Sequence, residues 1–358
     1  MIETEKLYSE ALALLQELIS TPSFSREEGK TATLLAEFLK GQGVEVHQHL
    51  HNVWAFNRHY NPKLPTLLLN SHHDTVKPNA GYNRNPFEPV IEEGKLFGLG
   101  SNDAGGCLVS LIATFLHFYE REDLQYNLVL AATAEEEISG RNGIESILPK
   151  LGTIDAALVG EPTEMHLAVA EKGLLVLDCI AKGKAGHAAR EEGINAIYEA
   201  LADIQWFQTY RFEEESAFLG PVKMSVTMVQ AGTQHNVVPD TCSFTVDVRL
   251  TDAYSMEEVL ETVRQHVKAE VTPRSTRLKP SSIPLQHPLV QAGMGLGRKT
   301  YGSPTTSDQA LLPVPSLKMG PGFSGRSHMA DEFIYLQEIR EGIELYIHLL
   351  KGFNFLMC

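Results

Sequence analysis

The chain is poor in the features that mark several large protein classes. Of its 358 residues only four are cysteine, and Cys107, Cys179, Cys242 and Cys358 form no C-x-x-C pair. That spacing points to neither a zinc knuckle nor a disulfide framework, and it suits buried or free thiols in a reducing cytosol. Positive charge is in deficit, with 30 Lys and Arg against 45 Asp and Glu and a formal net charge of -15. Binding a polyanion calls for a basic patch, so nucleic acid is not an expected partner. No apolar run approaches the ~20 residues a membrane helix needs. The N-terminus lacks a basic segment followed by an apolar one, so it does not read as a signal peptide. A soluble, cytoplasmic protein is expected, with neither membrane nor nucleic acid as partner.

Apolar material is plentiful. At 43% hydrophobic, the chain exceeds the size at which single cores tend to split, and two domains are expected. Residues 4–19 carry Leu7, Ala11, Leu14, Leu15 and Leu18 at helical spacing, and Pro22 stops that helix. Ser25-Arg26-Glu27-Glu28 reads as a capping box for a second helix that ends near Gly41. Val44–Leu50 and Val53–Phe56 read as strands. His47, His49 and His51 alternate there with no acid or cysteine beside them, which favours a solvated edge over a metal site.

The informative feature is how the apolar strands end. Thr66–Asn70 runs into Ser71-His72-His73-Asp74. Alone, a His-x-Asp is better explained by a polar turn than by a site. Asn127–Thr133 then ends in Ala134-Glu135-Glu136-Glu137, and Asp155–Val159 ends in Gly160-Glu161-Pro162-Thr163. Asp103, after Gly98 and Gly100, opens an apolar helix from Cys107 to Tyr119; an N-cap would explain it equally. The G-x-G-x-x-G pattern is missing there, so a phosphate site has little support. Val314–Met319 and Gly320-Pro321-Gly322 lead to His328, ahead of a last helix. Apolar strands alternating with helices imply an α/β fold with a mostly parallel sheet flanked by helices. In such a sheet these ends converge at the ligand-binding edge.

From Lys172 the pattern changes. Strand Gly173–Ala181, helix Ile194–Phe207, two alternating strands, a helix opened by the Ser255–Glu258 capping box and a strand near Ala269–Val271 follow. The order β-α-β-β-α-β is the ferredoxin-like pattern. It predicts an inserted α+β domain at 172–277 within a catalytic domain of 1–171 and 278–358.

Two histidines and three or four carboxylates make a nitrogen/oxygen metal site. Zinc is the default, with cobalt or manganese possible, and the ligand number suits two ions. Two bridged cations depress the pKa of a shared water, and a carboxylate off the metals can move its proton. Metal-assisted hydrolysis of an amide is the reaction class expected.

The set His72-x-Asp74, Asp103 before glycine, Thr133-Ala134-Glu135-Glu136-Glu137, Gly160-Glu161-Pro162-Thr163 and Ser327-His328 resembles the co-catalytic dizinc metallopeptidase and deacylase family. That family includes acetylornithine deacetylases, succinyl-diaminopimelate desuccinylases, aminoacylases and glutamate carboxypeptidases. The resemblance implies a zinc-exopeptidase-like fold whose inserted domain is a lid and dimerisation domain. It implies that His72 and Glu161 hold one metal, Glu137 and His328 the other, and Asp103 bridges. Asp74 would orient His72, Glu136 would be the base, and His73 no ligand. Glu135 stands where the family usually has Asp. Gly183-Lys184-Ala185-Gly186-His187 matches the family's Gly-Lys-x-x-His, whose histidine is thought to stabilise the oxyanion in the partner subunit. Asn236, in Asn236-Val237-Val238-Pro239, is implied to contact substrate. Arg249 is a candidate carboxylate clamp, or a strand arginine paired with a neighbouring acid. Ala104-Gly105 replaces the family's usual Met-Lys, and Ala188-Ala189-Arg190 follows His187 where Ser and Pro are common. The expected activity is deacylation of N-acetylornithine or N-acetylcitrulline in arginine biosynthesis, by a homodimer. A desuccinylase, a dipeptidase and a silent peptide-binding homologue are the alternatives.

Overall fold

The computed structural model describes residues 2–355. Contacts divide the chain into two units: Met1–Val169 with Ser282–Tyr301 and Ser307–Cys358, and Ala170–Ser281 with Gly302–Thr306.

The larger unit is an α/β body. Its strands lie in the order His47–His49, Asn52–Phe56, Asn127–Thr133, Thr66–His72, Ala156–Val159, Ser316–Lys318 and Leu167–Glu171. The sheet is mixed rather than mostly parallel. Asn127–Thr133, Thr66–His72, Ala156–Val159 and Ser316–Lys318 are parallel neighbours, whereas Asn52–Phe56 and Leu167–Glu171 flank them antiparallel. The parallel strands Thr66–His72 and Asn127–Thr133 are buried along their whole length, as strands covered on both faces must be. Alternation sorts their side chains. Leu67, Leu69, Leu128 and Leu130 face a core with Leu15, Leu111, Phe115 and Tyr346, while Leu68, Val129 and Ala157 face Trp54, Ile147 and Leu151. Helix Gly106–Phe118 buries eleven of its thirteen residues, so it is a central helix and not a surface one.

Register gathers the strand ends. His72 pairs with Thr133 and Asn70 with Val159. The loops that follow therefore start at one level of one sheet edge.

Three local readings change. No capping box forms at Ser25: helix Gly29–Gly41 has no side-chain cap, and Ser25 Oγ instead donates to Asp74 Oδ2 at 2.7 Å. The fully buried Glu28 carboxylate turns inward to Arg26 N, Glu135 N and His51 Nδ1, where buried donors need an acceptor more than a solvated helix end does. Asp103 is not an N-cap. The helix begins at Gly106, and Asp103 lies in a preceding turn with φ -119° and ψ 97°. The strand expected over Val44–Leu50 shrinks to His47–His49, whose His47 ring stacks on Trp54.

The smaller unit has a four-stranded antiparallel sheet in the order Lys223–Ala231, Thr241–Leu250, Gly173–Lys182, Glu270–Pro273. Helices Ala196–Thr209 and Met256–His266 supply Phe207, Val259 and Val263 to its core with Leu175, Leu177, Phe244 and Val246. Here the Ser255–Glu258 capping box does form.

Candidate metal centre

Each acidic or imidazole group expected at the sheet edge ends a parallel strand or lies in the segment that follows one or leads into a helix. His72 is the last residue of its strand and is buried, with its side chain 1% exposed. Its Nδ1 lies 3.0 Å from the Asp74 backbone carbonyl, a contact that makes Nδ1 the protonated nitrogen and leaves the Nε2 lone pair facing outward. Nε2 has no hydrogen-bond partner. Around it stand Asp103 Oδ1 at 3.4 Å, Glu161 Oε1 at 3.6 Å and Glu136 Oε2 at 3.8 Å. At the other side His328 Nε2 is 3.0 Å from Glu137 Oε2 and 3.7 Å from Asp103 Oδ2. Asp103 thus turns one oxygen to each histidine. Ligand atoms of His72, Asp103 and Glu137, and of His72, Glu136 and Glu161, form two groups within 4.8 Å.

These spacings test for a metal. Most are too long for hydrogen bonds. Four atoms each about 2.0–2.1 Å from a tetrahedral ion lie roughly 3.4 Å from one another. The His72–Asp103 and His72–Glu161 distances match that edge. A buried imidazole nitrogen without a partner, facing carboxylates, fits a divalent cation.

Electrostatics agree. Burial, reinforced by Asp103, pushes Glu161 up to about 8. Burial likewise raises Glu136 well above the carboxylate range, with Glu161 and Asp308 adding to it, and raises Glu137. Burial works against the His72 imidazolium, but Glu136, Asp103 and Asp74 outweigh it and hold the group well above its usual value. The Glu137 hydrogen bond raises His328 to about 9. Without cations the cluster must hold protons. With them the acids can ionise.

The Glu triplet is sorted by backbone geometry. Glu135 adopts φ 55°, and its side chain turns to Asn142 Nδ2 at 2.9 Å. Glu136 and Glu137 are left facing the histidines. Asp74 helps set that register. Its carboxylate, 3.5 Å from His72 Nδ1, accepts from the N–H groups of Glu136 at 3.0 Å and Glu137 at 3.2 Å. His73 has both nitrogens engaged, with Thr31 Oγ1 and the His51 carbonyl, each at 2.9 Å.

Gly105 explains the missing side chain after Asp103. A Cβ there would stand 2.5 Å from Gly100 O and 2.7 Å from Leu15 Cδ1. No residue larger than glycine fits without movement.

Sequence reasoning missed Asp308 and Glu332. Asp308, fully buried and pushed by burial to about 6, accepts from Thr133 Oγ1 at 2.7 Å. Glu332 is buried beneath Asp103. Proximity to His328 was the only signal for Glu332; a Ser-Asp pair away from a strand end offered none for Asp308.

In the smaller unit, Gly186–His187 pairs with Val237–Val238, which brings His187 beside Asn236. Both are exposed, and His187 Nδ1 accepts from Ala189 N at 3.1 Å. Arg249 pairs bidentately with Asp247 at 2.8 and 3.0 Å, so its fork is already engaged.

An α/β body whose sheet edge gathers two candidate nitrogen/oxygen metal-binding clusters is that of a metal-dependent amide or peptide hydrolase. Residues 68–352, which contain every candidate ligand, match peptidase family M20/M25/M40, and the chain belongs to that family. It is 25% identical over 375 residues to a succinyl-diaminopimelate desuccinylase of Halorhodospira halophila, covering 96% of this chain and 98% of the relative. It is 26% identical over 373 residues to an acetylornithine deacetylase of Proteus mirabilis, with 96% of each chain covered. Among solved structures it resembles aminopeptidase PepT of Bacillus cereus (TM-score 0.79, 18% identity, 96% and 98% covered). A dinuclear metal-binding M20 peptidase of Bacillus subtilis is similar (TM-score 0.75, 19% identity, 97% and 98% covered). No helix among the described residues is long and apolar enough to cross a membrane.

Proposed function

We propose that the protein removes an acyl group from the α-nitrogen of an amino acid, with N-acetylornithine or N-acetylcitrulline as substrate and arginine biosynthesis as its setting. The observation that carries the hydrolytic reading is His72 Nε2, buried without a hydrogen-bond partner and facing three carboxylates at 3.4–3.8 Å. The choice of substrate draws on the likeness to the Proteus mirabilis deacetylase. The short Gly160–Thr163 segment and Gly320-Pro321-Gly322 before His328 add to it. Likeness to the Halorhodospira halophila desuccinylase supports a second reading, removal of a succinyl group from ornithine, citrulline or diaminopimelate.

In this reading His72 and Glu161 would hold one ion, Glu137 and His328 would hold the other, and Asp103 would serve both. Zinc is the first choice and cobalt the second. Bound there, the ions supply Lewis acidity and acidify the attacking water. Glu136 is the acid left over by that assignment. Burial raises its carboxyl, and neighbouring cations oppose that shift, so it can take the water's proton and pass it to the leaving amine. The side chains grade from the buried His72 to His328 at 54% exposure, which leaves a solvent side for substrate entry.

The smaller unit is read as a ferredoxin-like lid through which two copies pair. Ile197, Tyr198 and Leu201 make an exposed apolar face on helix Ala196–Thr209, Ile194 lies exposed just before it, and Met228 and Val229 lie exposed on the edge strand Lys223–Ala231. A twofold interface needs such a self-complementary patch. Because His187 Nδ1 accepts a hydrogen bond, Nε2–H is the nitrogen available to an oxyanion in the partner's site. Asn236 beside it would contact substrate. Arg249 would serve as a clamp only by releasing Asp247.

The test is a panel of acetyl- and succinyl-ornithine, acetyl- and succinyl-citrulline, succinyl-diaminopimelate and dipeptides, with zinc or cobalt. Preferential turnover of the acetyl compounds is expected. Selective cleavage of a dipeptide refutes the assignment, and a Glu136→Ala enzyme as fast as wild type refutes the base.

A further inference from the structure

The acids aimed at the centre sit on turns, and turns keep their shape only where their amide groups find partners. Here the partners are other buried carboxylates. Glu332, 2% exposed, accepts from the N–H groups of Gly100 at 3.1 Å, Asn102 at 2.8 Å and Asp103 at 2.9 Å. It lies four residues beyond His328. One short loop therefore carries a candidate ligand and also grips the backbone of the residue placed between the two histidines. Glu28 does the same at the second turn. Its Oε1 accepts from Arg26 N at 2.7 Å and Glu135 N at 3.1 Å, and its Oε2 meets His51 Nδ1 at 2.7 Å. The next two amides, Glu136 and Glu137, go to Asp74. All three consecutive N–H groups of the triplet end on buried carboxylates.

We propose that Glu332 and Glu28 are positioning residues. They fix the main chain of the Gly100–Asp103 and Glu135–Glu137 turns, so that Asp103 and Glu137 present their oxygens at ligand spacing and Glu136 stands beside them. This rests on the two-metal reading above. A carboxylate is required because both oxygens of each residue are used as acceptors, and charge-assisted N–H bonds are the strong ones. Glutamine would remove the charge that strengthens these bonds and, at Glu332, where every partner is a backbone N–H group, would also set an NH2 group against a donor.

E332Q and E28Q, as full chains, are titrated with cobalt(II) alone. The readouts are cobalt affinity, the visible absorption of the bound ion, and the melting of the metal-free protein. Removing such supporting groups typically weakens metal binding by ~10–100-fold. E332Q is expected to lose cobalt affinity by about that factor and to shift the visible bands, since Asp103 turns one oxygen to each histidine. E28Q is expected to act in the same direction through Glu137. Variants that merely melt lower, yet bind cobalt with wild-type affinity and spectrum, overturn the proposal. If E332Q does not fold, E28Q carries the test at an independent turn. A wild-type chain that takes up no cobalt overturns the two-metal reading itself, which separates the two failures.

Discussion

Loading the centre must release protons, and the structure sets how many. Metal ligands have to be deprotonated. In the metal-free protein Glu161 titrates at about 8 and His328 at about 9. At pH 7 these two groups then carry about 0.9 and about 1.0 proton. His72, held well above the usual histidine range by the surrounding acids, and Glu136 and Glu137, raised by burial, add to this. Zinc binding at pH 7 is therefore expected to expel at least about two protons. At pH 9 the first two groups hold only about 0.1 and about 0.5 proton, so release should shrink. The sign follows from raised pKa values: groups that stay protonated to higher pH have more to lose at low pH. Two protons released per loading also mean that affinity climbs ~100-fold per pH unit near neutrality. Calorimetry of metal-stripped protein in buffers of different ionisation enthalpy reads the proton count directly. Release below about one proton at pH 7, or release that grows toward pH 9, would show that the cluster is not the cation-starved site inferred from His72 Nε2.

Glu136→Gln should cut turnover by ~10²–10⁴-fold, the usual worth of a general base, with cobalt uptake retained. Loss of cobalt in that variant would make Glu136 a ligand instead. His73→Asn should keep full metal stoichiometry, because both ring nitrogens already serve Thr31 and His51, whereas His72→Ala should lose an ion; elemental analysis of purified protein distinguishes the two. Gly105→Ala should lower thermal stability by ~1–3 kcal/mol, the common range for overpacking, since its Cβ would meet Gly100 O at 2.5 Å. An unchanged melting curve would mean that the turn yields freely.

The α/β body was legible because its strands are buried along their length and their apolar runs are unbroken. The direction of the outer strands was not. Asn52–Phe56 is as buried as a central strand, with only Phe56 partly exposed, yet it runs antiparallel to Asn127–Thr133. Nothing in an apolar run encodes its direction, so the expected sheet came out too parallel. Ser25–Glu28 failed for a related reason. A capping-box pattern describes a helix end in water, and this one faces buried amides that compete for the same oxygens. At Ser255 the helix end is exposed and the pattern holds.

Within the centre, residue type located the glutamate triplet but could not separate its three members. Their side chains are identical; their amides are not. The Glu135 amide goes to Glu28 and the next two to Asp74, and the left-handed backbone at Glu135 turns that side chain to Asn142. The sorting is therefore done by carboxylates distant in sequence, acting on main-chain atoms that every residue has. A motif of side chains carries no record of such partners. The same logic makes Asp74 more than a neighbour of His72: its carbonyl fixes the imidazole while its carboxylate fixes the glutamates, so one residue sets the angle of both. Replacing Asp74 by Asn keeps the carbonyl and disturbs only the carboxylate. If the two tasks are separable in this way, Asp74→Asn should lose more at Glu136 and Glu137 than at His72. Cobalt affinity would then fall through Glu137 as it does in E28Q, with turnover falling further still because Glu136 is disturbed as well.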